Sequence, residues 1–177
     1  MQQDSPEAEA RRPISPIAGP YGHPFHPLFV TIPIGAWVAS LVFDIVSRVN
    51  DDGAPSLVDA SYWLILLGIV GALVAAIFGL MDLASIPRRT RAFTTGLTHM
   101  TINLVVVVLF AVNFAWRSSD HTEALRTTGG QLVLSIIALL LLSVSGWLGG
   151  RLAYRYGVRV ADLSTQHEGF TRVGRVK

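Results

Sequence analysis

Four apolar runs, each about long enough to cross a bilayer as a helix, leave this chain few folds to choose from. They cover about 28–49, 57–81, 93–116 and 131–152, and a hydrocarbon crossing takes about 20 helical residues. No water reaches a free peptide group inside a bilayer, so runs of this length satisfy their backbones only as helices. Charge agrees with this reading. Only 15% of residues are charged, against about 25% in an ordinary soluble domain, and they gather between the runs. The expected fold is all-α, an integral membrane four-helix up-down bundle over 21–157. A disordered cytoplasmic tail is expected over 1–20 and a basic cytoplasmic tail over 158–177.

The connections are short, which makes successive helices antiparallel neighbours. Asn50-Asp51-Asp52-Gly53-Ala54-Pro55 is a turn cluster, and Ser56 with Asp59 reads as a capping box opening the second helix. Pro87 and Gly129-Gly130 punctuate the other two connections. The first 20 residues hold three acids and four prolines without an apolar stretch, unlike a cleavable signal peptide.

An even number of spans puts both termini on one side, so basic residues can be counted on two faces. Arg11, Arg12, Arg88, Arg89, Arg91, Arg151, Arg155, Arg159, Arg172, Arg175 and Lys177 make eleven on the face of the termini. Arg48, Arg117 and Arg126 make three on the other. The positive-inside rule therefore predicts a multi-pass bacterial inner-membrane protein with both termini cytoplasmic. The partner this implies is the lipid bilayer. Nucleic acid is not expected, since the basic residues sit beside membrane spans.

Helix association in lipid leans on close backbone approach through small residues. Gly71, Ala75 and Gly79 recur at spacing four on the second helix, beside Gly68, and Gly146 and Gly150 do so on the fourth. Bundle packing and homo-oligomer formation are both open uses of these faces. Pro33 falls inside the first helix and frees the carbonyl of Phe29, with Thr31 the nearby candidate donor. Trp37 lies too deep for an interfacial anchor and calls for packing. Asp44 is expected to pair near the outer end, with Arg48 at i+4. On the third helix His99, Asn103, Val106, Phe110 and Asn113 recur at helical spacing, a stripe expected to face the bundle interior.

The segment Gly22-His23-Pro24-Phe25-His26-Pro27, followed by Ile32-Pro33-Ile34-Gly35-Ala36-Trp37, resembles the opening of the bacterial membrane family labelled domain of unknown function 2231. Gly79-Leu80-Met81-Asp82, His99 with Asn103, and the run from Gly149 to Gly157 are similar to later parts of that family. The likeness covers about 20–160. It implies a four-helix membrane domain and little biochemistry. Fusion of some relatives to a Rieske-type ferredoxin domain implies an association with electron transfer. This chain has no cysteine, which excludes disulfides, thiol catalysis and iron-sulfur clusters of its own. An iron-sulfur partner would be a separate protein.

Ionisable groups in a membrane are costly and therefore candidates for function. His23, His26, Asp82 and His99 all fall at the inner end. His99 lies about 9 Å beyond the start of its helix at 1.5 Å per residue. His23 and His26 are about 9 Å apart along an extended segment, a separation that disfavours both binding one bare metal ion. Three readings are open. In one, the His/Asp cluster with Asn103 holds together a structural or accessory bundle. In another, His26 and His99 ligate a b-type haem, with His23 as substitute ligand and Arg88, Arg89 and Arg91 pairing with its propionates. In the third, Asp82 and His99 relay protons or a small solute. No nucleophile-base pair, phosphate-binding loop or zinc-binding helix motif is present, and an enzyme is not expected.

Overall fold

The computed structural model describes residues 5–50 and 54–171. Its helices are α1 (Pro6–Arg11), α2 (His26–Phe29), α3 (Thr31–Val49), α4 (Pro55–Ala84), α5 (Arg91–Arg117), α6 (Gly129–Gly150) and α7 (Leu163–Glu168). Among the described residues there is no strand. Four stretches are long and apolar enough to cross a membrane: His26–Val49, Pro55–Ala84, Arg91–Arg117 and Gly129–Arg155. The expected spans are thus present, each extended by one to three residues at one or both ends. At 1.5 Å per residue α4 is about 45 Å long, more than the hydrocarbon core requires.

Helix α3 packs on α4, α4 on α5 and α5 on α6, and α6 closes the ring against α3. Trp37 crosses the middle. Its indole stacks on Phe110 at 4.3 Å between ring centres and donates from Nε1 to the carbonyl of Ile65 at 3.2 Å. Ile65, Val106, Phe110 and Ala138 complete a buried layer. The interior stripe of α5 is as expected, with Val106, Phe110 and Asn113 fully buried. Outward faces carry exposed aliphatic side chains such as Val42, Leu73, Leu104 and Leu140, as a lipid-facing surface requires.

Local chemistry departs from the sequence reading in places. Helix α4 opens on Pro55 with no side-chain cap, because Ala54 stands at the cap position and Ser56 falls inside the helix, and Asp59 is bonded to His121 at 2.8 Å. The capping box belongs to α6, where Thr128 and Gln131 each satisfy the other's backbone N–H. Pro33 does interrupt the first span, which divides at Val30 into α2 and α3. Thr31 donates to the carbonyl of Leu28 at 2.7 Å and not to that of Phe29. Residues 51–53 of the expected turn cluster, and Arg172, Arg175 and Lys177 of the basic count, lie outside the described residues.

The described part of the N-terminal segment carries a short helix and bonds to the C-terminal segment. Ser5 caps α1, and Arg11 donates to the carbonyl of Ala161 at 2.9 Å. Arg159 donates its backbone N–H to Ala10 at 3.0 Å, and its guanidinium reaches the carbonyls of Ala18 and Gly19 at 3.0 Å each. These bonds hold the two terminal segments together across one end of the bundle. Composition alone hides them, because each segment supplies half of the bonds.

Candidate functional site

At the end of the bundle that carries both termini, two histidines face one another. His26 opens α2 ahead of Pro27, and His99 sits two turns into α5. Their ring centres are 6.3 Å apart and their planes nearly perpendicular, at 88°. Nδ1 of His26 is 2.9 Å from the carbonyl oxygen of Ala75 on α4. Nδ1 of His99 is 2.8 Å from the carbonyl oxygen of Ser145 on α6. A carbonyl only accepts, so in both rings Nδ1 carries the hydrogen and Nε2 keeps its lone pair when the ring is neutral. The amide nitrogen of Asn103 lies 3.1 Å from Nε2 of His99, a donor facing that lone pair.

Glycines make room for both rings. A Cβ on Gly79 would stand 3.0 Å from Cε1 of His26, and one on Gly149 would stand 3.2 Å from Cε1 of His99. The stripe on α4 thus works within the bundle: Gly68 admits Trp37, Gly71 admits Ile32, and Gly79 admits His26. Gly146 on α6 has nothing within 4 Å of its would-be Cβ.

Not every candidate joins the pair. His23 is exposed, with Nδ1 3.3 Å from the carbonyl of Tyr21 in its own loop. The structure therefore does not place it as a substitute for His26. Asp82 is held by Nε of Arg159 at 2.7 Å, and no hydrogen bond joins it to His99 among the described residues, so the expected relay is not assembled. Arg88 and Arg89 are exposed on the turn before α5 and Arg91 is exposed at its first residue, and none is bonded to either histidine. Arg89 and Arg91 instead line an open cleft with Arg151.

The opposite end holds a polar cluster that the sequence reading missed in part. Asp44 pairs with Arg117 and not with Arg48, with Oδ1 2.7 Å from Nη1 and Oδ2 2.8 Å from Nη2. The two side chains are 0% and 1% exposed. Ser61 and Thr127 donate to Oδ1 of Asp44 at 2.7 and 2.9 Å. Arg117 also donates to Asn113 at 2.9 Å, and Asn113 to Ser135 at 2.8 Å. Four helices meet in this cluster. Arg48 donates to the carbonyl of Thr127 at 2.7 Å. The i+4 rule chose Arg48 because it sees only one helix.

Residues 22–162 match the family described as "Predicted membrane protein (DUF2231)". The chain belongs to that family. Within the match fall His26, His99, Asn103, Asp82 and both glycines that seat the histidines. No curated protein sequence and no solved structure matches this DUF2231 chain. It is a membrane protein of a family without an assigned activity, with four candidate spans.

Proposed function

We propose that this DUF2231 protein is a multi-pass inner-membrane bundle, both termini cytoplasmic, that holds a b-type haem between His26 and His99 and serves electron transfer with a separate partner. The facing histidine pair carries the reading. His26 and His99 would be the residues that hold the iron, from two different helices, with ring centres 6.3 Å apart. Histidines that ligate metal commonly anchor the other ring N–H on a carbonyl or carboxylate, which fixes the tautomer and raises the basicity of the free nitrogen. Both rings have that anchor here, on Ala75 and Ser145.

Haem supplies a one-electron iron couple when bound. The protein's part would be to orient the rings through those carbonyls and to seat them against Gly79 and Gly149, and Asn103 would have to give up its contact with Nε2 of His99. The eleven-to-three distribution of basic residues supports the orientation.

A second reading, an accessory bundle without cofactor, is favoured by one observation. Asn103 already faces Nε2 of His99, so each nitrogen of that ring has a hydrogen-bond partner. An absorption spectrum separates the two. Protein expressed with haem supplied and purified in mild detergent should show a Soret band that shifts on reduction. Single His26→Ala and His99→Ala variants should lose it, and His23→Ala should keep it. A folded, colourless wild-type protein would leave only the accessory reading.

A further inference from the structure

The cleft beside α5 is independent of the histidine pair. It is an open groove of about 370 Å³ whose lining includes Arg89, Arg91, Thr94, Thr95, Arg151 and Tyr156. Three cations converge with no carboxylate among the lining residues. None of the three arginines is ion-paired among the described residues. Such a concentration of positive charge costs self-repulsion and calls for a counter-charge.

Arg151 supplies the second observation. Its Nε is buried with no hydrogen-bond partner. Its Cζ lies over two rings, 5.4 Å from the centre of Tyr156 and 5.9 Å from that of Trp147. A buried guanidinium donor without an acceptor is costly in a finished site. Arg89 adopts a left-handed backbone conformation, φ 65°, in the turn that brings it to the cleft. In the first turn of α5 Thr90 already accepts from the N–H of Phe93 at 3.1 Å, which leaves those of Arg91 and Ala92 at the same place.

Position narrows the ligand. The cleft lies where two candidate spans end, and Trp147 and Tyr154 beside it are 67% and 92% exposed. Aromatic side chains at that depth mark the headgroup region of a bilayer. We propose that this cleft binds the phosphate of an anionic phospholipid, with the guanidinium groups of Arg89, Arg91 and Arg151 around the phosphate oxygens and the acyl chains lying along the outer faces of α5 and α6. The shared chemistry with a soluble anion is the phosphate oxyanion. The exposed aromatic and aliphatic surface next to the cleft favours the lipid.

The test is native mass spectrometry of the full chain in mild detergent, offered phosphatidylglycerol or phosphatidylcholine in turn, with and without millimolar inorganic phosphate. One phosphatidylglycerol should be retained in preference to phosphatidylcholine and should survive the phosphate. Joint Arg91→Gln and Arg151→Gln should weaken retention about tenfold or more. Joint Arg12→Gln and Arg88→Gln removes equal charge from the same end, outside the cleft, and should leave retention unchanged. Arg91→Gln alone, which breaks no bond within the described protein, should weaken it in the same direction if the pair proves unstable. Equal retention of both lipids overturns the proposal, as does equal loss in the two double variants. Displacement by inorganic phosphate also overturns it, since the cleft would then hold a soluble anion.

Discussion

Asp44 and Arg117 show how far a single residue's role depends on partners outside its own helix. A buried ion pair contributes little net stability against a well-packed apolar replacement, yet removing one partner strands the other's charge. Asp44→Ala should therefore lower stability by about 3–5 kcal/mol, and Arg48→Ala, which loses one hydrogen bond to a carbonyl, by about 1 kcal/mol. Unfolding of the purified protein in mixed micelles measures both. Similar losses for the two would mean that Asp44 is not the centre of the cluster. His26 and His99 were legible as candidates because imidazole is costly in lipid and both fall at one end of the bundle. Their anchors were not legible. Ala75 and Ser145 act through backbone carbonyls, which every residue has, so no side-chain pattern points to them.

At the scale of the helix, spacing carried most of the information. Length and hydropathy set four spans, and the interior stripe of α5 followed from helical period alone. Caps followed less well, since α4 begins at Pro55, one residue before Ser56, which leaves Ala54 at the cap position. The small-residue faces were legible as faces but not as contacts. Gly68 and Gly146 now separate them. A Cβ at Gly68 would stand 2.2 Å from Nε1 of Trp37, so Gly68→Ala must displace the indole that crosses the core. A loss of about 1–3 kcal/mol is expected there, by overpacking. Gly146→Ala meets open space and should be neutral or slightly stabilising in the monomer. Paired thermal melts in detergent check this, and a marked loss at Gly146 would show that its face is covered by another chain.

Across the whole molecule, two polar clusters stand at opposite ends of an apolar middle. The layer of Trp37, Ile65, Val106 and Phe110 separates the buried Asp44–Arg117 pair from the histidine pair. The terminal segments close the histidine end through Arg159, which binds Asp82 and two carbonyls of the N-terminal segment. Both the haem reading and the lipid cleft require that these ends lie at the two surfaces of a membrane. The cysteine-free sequence makes that directly measurable. Single Arg88→Cys and Ser119→Cys variants, the latter on the exposed turn that follows α5 at the Asp44–Arg117 end, would be treated with a membrane-impermeant maleimide in intact and lysed cells. Ser119→Cys should react in intact cells and Arg88→Cys only after lysis. Reaction at Arg88→Cys from outside, or at both sites equally in intact cells, would contradict a bundle that crosses the membrane with its histidine end inward.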